Sequence, residues 1–380
     1  MLEGPPGKKV ARKPGVLGDI AGALGAQSVL GLLEWQHRHA GRALCDYIDQ
    51  RVPMGTLMDL VRRASRGAVR QGQPLAASCW PLAAIGALLL LLGGCFAPTE
   101  LDVLVAPDSS RDGEGGRDGP LGAGFFSAST LARVDDLVRY EVLVPLLEDG
   151  SVAGSADASL PLVVMIHGGF VEVRRYRWLA SHLATRGYVT VMADHDANLS
   201  FLSSANSTVA VDDLLAESTG VGHPLQDRLD PTAPASVLGH SLGGVAAATL
   251  WAGDPERWDV LGILASYPAP GTDVEQFVGR PSMHLVGSED EPEAKREQGF
   301  ERFGEPRILG IVDGMNHYAW TDEATARELA GDGPALRSAT ETRPDALQII
   351  DTGLDAWMRS DPEALERLRV GVFPGVEVER

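Results

Sequence analysis

Short apolar runs rich in β-branched residues alternate with helical stretches from about residue 125 to the end of the chain. The predicted strands cover residues 140–144, 161–166, 188–193, 236–238, 260–265, 282–286 and 307–312. Helical periodicity lies between them, for example over residues 176–185 and 245–252. Because strands that alternate with helices form βαβ units, this pattern predicts an α/β fold with a mostly parallel central sheet and helices on both faces.

A G-x-S-x-G motif, Gly239-His240-Ser241-Leu242-Gly243, follows one of these strands and precedes a helical stretch. This spacing places the serine on a sharp strand-to-helix turn with strained backbone angles, where side chains at the glycine positions would clash. The Ser241 hydroxyl would then project from a helix N-terminus as a nucleophile. The motif also occurs by chance in glycine-rich chains, so its meaning depends on the residues that accompany it.

The partners of a serine nucleophile are expected further along the chain, an acid first and a histidine second. Asp290 lies in the loop after the strand predicted at 282–286, with Glu289 and Glu291 as alternatives for the acid. His317 lies in the loop after the last predicted strand. A neutral imidazole there would take the proton of the serine, and the carboxylate would hold the imidazole in the required tautomer.

A His-Gly-Gly-Phe run at residues 167–170 ends the second predicted strand. A serine nucleophile needs two backbone N–H groups that stabilise the negative oxygen of its tetrahedral intermediate. Leu242 supplies one of them because it follows the nucleophile, and Gly169 most simply supplies the other, with Phe170 as an alternative. His167 is expected to support this loop through a hydrogen bond rather than to act as the base.

The chain resembles the α/β-hydrolase superfamily in five segments, which in order are HGGF, RWLASHLATRGYVTVMADHD, GHSLGG, GSED and GMNHYAWTD. Within that superfamily it resembles the group of chlorophyllases, platelet-activating-factor acetylhydrolases and bacterial polyesterases. The likeness covers about residues 120–359 and therefore most of the predicted α/β region.

This resemblance implies an α/β-hydrolase fold and a serine hydrolase that cleaves carboxylic esters through an acyl-enzyme intermediate. It implies a catalytic triad of Ser241, Asp290 and His317. It also implies that Gly169 and Leu242 are the two oxyanion donors. A thioesterase or a peptidase on the same triad is an alternative, and so is a surface-anchored binding module without catalysis. Dienelactone hydrolases also resemble the chain, but they use a cysteine nucleophile, and no cysteine follows Cys95.

Spacing and charge argue against several classes of ligand. No catalytic metal is expected, because Asp194, Asp196 and Asp313 do not combine with histidines at the spacing of metal ligands. No cofactor is expected either, since a G-x-G-x-x-G motif is absent after the first predicted strand. Residues 95–380 carry 22 basic and 46 acidic side chains, a formal charge of −24 that repels nucleic acids. The expected partner is a small-molecule or lipid-like ester.

Some features near the motifs have more than one interpretation. Tyr318 and Trp320 follow the predicted catalytic histidine and either line the substrate pocket or pack in the core. The connecting segments 198–230 and 321–344 are long enough to cover a cleft at the carboxyl ends of the strands, where they would affect the choice of substrate.

A 12-residue, mostly apolar run at 81–92 lies far from the N-terminus. It is shorter than the roughly 20 residues of a membrane span and matches the about 7–15 residues of a signal-peptide core. Arginines precede it, and the sequence LGGC after it resembles a bacterial lipobox, in which the cysteine is lipidated and becomes the N-terminus. This predicts a lipoprotein-type signal peptide at 58–95 and an exported protein anchored to a bacterial membrane through Cys95. A buried helix and an uncleaved signal anchor are the alternatives.

The remaining boundaries follow from composition. Residues 1–57 are a dispensable extension if translation begins at Met54 or Met58, and a cytoplasmic extension of an anchored protein if it does not. Residues 96–124 are small, polar and charged, which predicts a flexible acidic linker. The catalytic domain is predicted to occupy residues 125–380.

Overall fold

The computed structural model describes residues 101–380 except for 114–115, 134–135, 156–158, 195–199, 234, 270, 274–278 and 291–298. The predicted extension at 1–57 and the signal peptide at 58–95 with its Cys95 lie outside the described residues. The same is true of Asp196 and of Glu291, one of the alternatives for the catalytic acid.

Ten strands and six α-helices are found among the described residues. The strands are β1 (Asp102–Val105), β2 (Gly122–Arg133), β3 (Asp136–Leu146), β4 (Leu162–Ile166), β5 (Val189–Ala193), β6 (Ala235–His240), β7 (Trp258–Leu264), β8 (Ser282–Gly287), β9 (Arg307–Val312) and β10 (Val376–Glu379). The helices are α1 (Arg177–Thr185), α2 (Ser200–Glu217), α3 (Leu242–Gly253), α4 (Ala326–Gly331), α5 (Ala339–Met358) and α6 (Pro362–Val370). Short 3₁₀ helices at Val173–Tyr176 and His317–Trp320 lie near the predicted site.

The strands form one sheet in the order β1-β2-β3-β5-β4-β6-β7-β8-β9-β10. The six strands from β5 to β9 in that order are parallel, whereas β1, β2 and β3 pair antiparallel at one edge and β10 pairs antiparallel with β9 at the other. The predicted α/β fold is confirmed, and the seven predicted strands correspond to β3 through β9. Because the carboxyl ends of the parallel strands meet at one edge, the loops with Ser241, Asp290 and His317 begin there.

Both faces of the sheet are covered by helices. All five residues of β4 are buried, as expected for a parallel strand with a layer on each side. Val163 and Met165 pack in the same apolar cluster as residues of α1 and α5, while Val164 and Ile166 pack in the cluster that includes α2 and α3. Complete burial of one large apolar side chain contributes roughly 1.5–3 kcal/mol, so these two layers hold the sheet in place.

Residues 96–124 were predicted to form a flexible linker, but the described residues 101–113 and 116–124 are in contact with the domain. Asp102–Val105 pairs with β2 as an edge strand, and the Gly119 N–H donates to Thr185 Oγ1 at 2.9 Å. Gly116 has a φ of 73°, and a Cβ there would lie 1.9 Å from the carbonyl oxygen of Pro344. Leu101, Val105 and Ala123 also pack in or against the two apolar clusters. The small and polar residues between them explain why the composition suggested a linker.

Two predicted connecting segments contain helices that sequence periodicity did not reveal. Helix α2 lies within 198–230 and buries Val211 and Leu214 against the sheet. Helix α5 begins within 321–344 and includes Pro344, a residue that usually ends a helix. These segments therefore contribute to the layers on both faces and are more than loops over a cleft.

Candidate active site

Ser241 lies on the turn between the end of β6 and the start of α3. Its backbone has a φ of 54° and a ψ of −126°, a conformation that residues with a side chain rarely adopt and that costs of order 1–3 kcal/mol. The Ser241 N–H donates to the Leu264 carbonyl at 2.9 Å, and its own carbonyl accepts from the Gly244 N–H at 2.8 Å. The neighbouring strand and the first turn of the helix thus hold the strained residue in place, as the motif predicted.

The two glycines of the motif allow this turn to pack tightly. A Cβ at Gly239 would lie 2.2 Å from the Gly243 carbonyl oxygen, and a Cβ at Gly243 would lie 2.4 Å from the His167 carbonyl oxygen. Real Cβ atoms do not approach backbone oxygens so closely. The spacing of the motif is therefore a packing requirement of the strand-to-helix turn.

The structure brings the three predicted catalytic side chains into one hydrogen-bonded chain. His317 Nε2 lies 2.8 Å from Ser241 Oγ, and His317 Nδ1 lies 2.8 Å from Asp290 Oδ1. A carboxylate can only accept, so Nδ1 carries the proton and Nε2 of the neutral ring accepts from the serine hydroxyl. The Asp290 side chain is only 3% exposed and that of His317 is 19% exposed, so the carboxylate is enclosed while the imidazole is partly accessible from the surface.

The alternative acid Glu289 has different contacts. Its Oε1 accepts from Ser288 Oγ at 3.0 Å, so its carboxylate is engaged with the neighbouring residue. Asp290 Oδ2 has no hydrogen-bond partner among the described residues, although this atom is buried. Of the two acids, Asp290 is the one in contact with His317.

Asp332 is a second carboxylate near this chain that the sequence interpretation missed. Its Oδ2 accepts from the Tyr318 N–H at 3.0 Å, beside the predicted base. Burial raises the pKa of Asp332, and the charge of Asp290 raises it further, while His317 acts in the opposite direction. Asp332 lies 15 residues after the histidine in a segment without a motif, so no sequence signal identified it.

The predicted oxyanion donors lie side by side. A Cβ at Gly169 would be 3.1 Å from Leu242 Cδ2, which places the Gly-Gly turn directly against the residue after the nucleophile. The turn is closed by a hydrogen bond from the Val171 N–H to the Gly168 carbonyl at 3.2 Å, with Phe170 at a φ of 62°. In the described part of the chain, the backbone N–H groups of Gly169, Phe170 and Leu242 donate no hydrogen bond. All three are available to an oxygen atom of a ligand.

Two buried side chains connect the Gly-Gly turn to His317, and the sequence interpretation did not identify either as functional. The Gly168 N–H donates to Tyr176 Oη at 2.9 Å, and Tyr176 Oη lies 2.8 Å from His240 Nδ1. His240 Nε2 lies 3.1 Å from the His317 carbonyl oxygen, and the two imidazole rings are 4.8 Å apart. His240 was visible within the G-x-S-x-G motif, but its partners are distant in sequence.

The aromatic residues after the base divide between the two interpretations. Trp320 is completely buried in the cluster that contains α1 and α5, so it packs in the core. Tyr318 is partly exposed, and its ring meets the His317 ring edge-on with centroids 5.3 Å apart. Of these two residues, Tyr318 is therefore the one that can contact a molecule bound near His317. His167 is buried, and its Nδ1 lies 2.8 Å from the Gly168 carbonyl, as expected for a supporting residue.

Two further properties concern only the described residues. No group of three or more His, Cys, Asp or Glu side chains is arranged there to hold a metal ion. No helix in that part of the chain combines the length and apolar character needed to cross a membrane.

Comparison with known proteins shows what this domain is similar to. A model of the alpha/beta hydrolase family matches residues 162–343, a range that begins with β4, contains Ser241, Asp290 and His317, and ends in α5. A comparison with curated proteins found no match. This match and the observed sheet show an α/β-hydrolase fold, and the matched segment is similar to the alpha/beta hydrolase family.

Proposed function

We propose that the protein is a serine hydrolase that cleaves carboxylic esters through an acyl-enzyme intermediate. The observation that carries the proposal is the chain from Ser241 Oγ to His317 Nε2 and from His317 Nδ1 to Asp290, with 2.8 Å at each contact. It occurs at the strained strand-to-helix turn that exposes a nucleophile in this superfamily. The family match supports hydrolase chemistry in general.

In the first half of the reaction, Ser241 Oγ attacks the carbonyl carbon of the ester while His317 Nε2 takes its proton. The carbonyl oxygen becomes negatively charged, and the N–H groups of Gly169 and Leu242 donate hydrogen bonds to it. When the tetrahedral intermediate collapses, the bond to the alcohol oxygen breaks and His317 returns the proton to that oxygen. An alcohol leaves, and the acyl group remains on Ser241.

In the second half, His317 Nε2 takes a proton from a water molecule that attacks the acyl carbon. The second tetrahedral intermediate uses the same two N–H groups, and its collapse breaks the bond to Ser241 Oγ. The proton on His317 returns to the serine, and a carboxylic acid leaves. One water molecule is consumed and the enzyme is regenerated.

Asp290 maintains the state of His317 on which both halves depend. Its buried carboxylate accepts the Nδ1 proton, so Nε2 remains free to act as the base. When His317 becomes positively charged, the nearby carboxylate stabilises the imidazolium without taking the proton.

We further propose that the substrate is a small-molecule or lipid-like ester, of the kind cleaved by the group of chlorophyllases, platelet-activating-factor acetylhydrolases and bacterial polyesterases. This narrower assignment rests on the segments HGGF, GHSLGG, GSED and GMNHYAWTD. The thioesterase and peptidase alternatives use the same three side chains and differ only in the leaving group.

The test compares the full-length protein with a Ser241→Ala variant. Hydrolysis of p-nitrophenyl esters from acetate to palmitate would be measured together with labelling by a fluorophosphonate, and thioester and amide analogues would be included. We expect ester turnover and labelling that both disappear in the variant, with a chain-length profile that reflects the size of the acyl pocket. Labelling with faster thioester or amide cleavage would identify a different leaving group. A folded protein with neither signal would contradict the enzymatic proposal.

A separate proposal concerns location. We propose that residues 58–95 direct export and that Cys95 becomes a lipidated N-terminus, on the basis of the arginines, the 12-residue apolar run and the LGGC sequence. Expression in a bacterium with labelled palmitate should label the wild type but not a Cys95→Ala variant. A mature protein whose N-terminal sequence begins before residue 95 would contradict this proposal.

A further inference from the structure

We propose that Tyr176 and His240 are positioning residues that hold the oxyanion turn and the main chain of His317 in one fixed arrangement. The inference rests on the proposed function, because it assigns these two side chains a role in the same reaction. Neither side chain is part of the Ser241, His317 and Asp290 chain. Tyr176 instead contacts the backbone N–H of Gly168 in the oxyanion turn, and His240 contacts the backbone carbonyl of His317.

The hydrogen bonds among these groups have only one consistent arrangement of protons. The carbonyl oxygen of His317 can only accept, so His240 Nε2 at 3.1 Å carries a proton and donates it. His240 Nδ1 then accepts in the neutral ring, so the Tyr176 hydroxyl at 2.8 Å must donate its single proton to it. The remaining lone pairs of Tyr176 Oη accept the Gly168 N–H at 2.9 Å. Every donor in the series has a matching acceptor.

The surroundings stabilise this arrangement against titration. Tyr176 and His240 are 0% and 1% exposed. Burial lowers the pKa of His240 well below its usual value, and the neighbouring His317 lowers it further. Burial raises the pKa of Tyr176. Both side chains therefore remain neutral over the pH range in which a serine hydrolase with a histidine base operates.

This arrangement has a direct consequence for the oxyanion donors. The turn from Gly168 to Val171 has three consecutive N–H groups before its closing bond, and Tyr176 binds the first of them. The N–H groups of Gly169 and Phe170 are left without partners among the described residues, next to Leu242. Removal of the Tyr176 hydroxyl would allow the turn to rotate, and a displacement of about 1 Å can reduce a rate by about 100-fold.

The same side chains also restrain the base. The bond from His240 Nε2 to the His317 carbonyl and the 4.8 Å separation of the two rings fix the backbone from which the catalytic imidazole extends. Because Tyr176 orients the His240 ring, a single hydroxyl connects the oxyanion turn with the base. Tyr176 precedes His240 by 64 residues, so the contact depends entirely on the fold.

The test is the Tyr176→Phe variant of the full-length protein, which removes only the hydroxyl. Tyr188→Phe is the matched control, because Tyr188 is also 0% exposed and its hydroxyl donates to Asp355 at 2.6 Å, away from the site. For Tyr176→Phe we expect kcat for a p-nitrophenyl ester to fall by about ten- to 100-fold with little change in KM. The affinity for an arylboronic acid, whose adduct with serine resembles the tetrahedral intermediate, should fall by a similar factor. Both quantities should change less than twofold in Tyr188→Phe.

These readouts separate positioning from a general loss of stability. If both tyrosine variants lose the same stability in urea denaturation but only Tyr176→Phe loses kcat and boronate affinity, the positioning role is supported. If Tyr176→Phe retains kcat and boronate affinity within twofold of the wild type, the proposal is overturned. If Tyr176→Phe does not fold, His240→Asn replaces it, since its amide oxygen can take the position of Nδ1 as an acceptor for Tyr176, while its shorter side chain has no nitrogen at the position of Nε2. It should lower kcat by at least tenfold.

A measurement without turnover distinguishes failure of this inference from failure of the proposed function. Nitrogen NMR of protein with ¹⁵N-histidine should show one proton on His240, located on Nε2, and a changed Nδ1 signal in Tyr176→Phe. A proton on Nδ1 would contradict the hydrogen-bonded series whatever the activity. A wild type that shows this tautomer but neither hydrolyses esters nor reacts with the fluorophosphonate would overturn the proposed function and the positioning role, and leave only the hydrogen-bonded series.

Discussion

Arg175 and Glu328 form a bidentate ion pair in which Nη1 donates to Oε1 at 2.8 Å and Nη2 donates to Oε2 at 3.2 Å. Arg175 Nε also donates to the Asp322 carbonyl at 2.6 Å, and its side chain is only 8% exposed. The pair joins the 3₁₀ helix that contains Tyr176 to the segment that follows His317. One guanidinium thus connects the chain on the two sides of the candidate site.

Arg175→Ala should reduce the stability of the fold. The substitution removes both guanidinium donors from the Glu328 carboxylate, which keeps the Thr325 N–H, and it removes the donor to the Asp322 carbonyl. We expect the free energy of unfolding to fall by about 3 kcal/mol. Urea denaturation measures this loss. Arg369→Ala is the control, because Arg369 pairs with Glu366 on the exposed surface of α6, where solvent screening leaves an ion pair little effect on stability. Equal losses of stability in the two variants would show that the Arg175–Glu328 pair contributes no more to stability than an exposed ion pair.

The ion pair of Glu328 should also make the stability of the protein fall at acidic pH. The Arg175 guanidinium lowers the pKa of Glu328 to about 2 through its hydrogen bonds. The folded pKa is below the unfolded one of about 4.3, so this stabilisation is complete above the unfolded pKa and is lost as the pH falls through about 2. Between pH 5 and pH 2, the wild type should lose more stability than Glu328→Gln in urea denaturation. Glu377→Gln, at an exposed position on β10, should follow the wild type.

Asp290→Asn should reduce ester turnover far more than it reduces stability. An amide at this position can donate to His317 Nδ1 and so favours the wrong tautomer of the imidazole, an exchange that costs about 10⁴-fold in kcat in the well-studied serine protease triad. Steady-state kinetics of the two proteins would measure the effect. Glu289→Gln is the control for the neighbouring carboxylate and should change kcat by less than about threefold. A larger effect at Glu289 than at Asp290 would reverse the assignment of the acid.

The parts of this protein that could be predicted are those with local causes. The turn at Ser241 depends on glycines two residues away on each side, so the motif together with the strand before it and the helix after it predicted the turn. The proximity of Asp290 and His317 to Ser241 was predicted because each lies in the loop after a strand, and parallel strands bring their carboxyl ends to one edge. The parallel strands were predicted because burial on both faces makes their residues continuously apolar, as in β4.

The features that could not be predicted depend on contacts between distant segments. Tyr176 meets His240 across 64 residues and Arg175 meets Glu328 across 153, and neither pair has a spacing that a motif describes. The edge strand β10 has the sequence VEVE and alternates between partial and full exposure, so it lacks an apolar run. Pro344 obscured the periodicity of α5, whose start is fixed by a capping box between Ser338 and Glu341.

Two glycines on the same helix should respond in opposite ways to alanine. A Cβ at Gly243 would lie 2.4 Å from the carbonyl oxygens of both Ile166 and His167, so Gly243→Ala must displace backbone and should abolish labelling by a fluorophosphonate. A Cβ at Gly253, at the end of α3, meets nothing within 4 Å. Gly253→Ala should therefore leave activity unchanged and raise stability by up to about 1 kcal/mol in urea denaturation. Full activity in Gly243→Ala would contradict the packing that the structure gives to the turn.

His182 should make the protein less stable in alkaline solution. Its ring is 3% exposed, with Nε2 2.9 Å from Asp351 Oδ1 and Nδ1 3.1 Å from Asp118 Oδ1. Burial lowers the pKa of His182, but the charge of Asp351 and the hydrogen bond to Asp118 outweigh it and raise the pKa to about 9. Because this value is above the unfolded pKa of about 6.5, the stabilisation is complete below pH 6.5 and is lost as the pH rises through 9. It amounts to at most about 3 kcal/mol. In urea denaturation from pH 6.5 to 9.5, the wild type should lose stability and His182→Gln should lose much less. The loss of stability in Asp118→Asn should lie between those of the other two proteins, since this variant loses one carboxylate and keeps Asp351. Parallel stability curves for all three proteins would show that the His182 imidazolium does not contribute to stability.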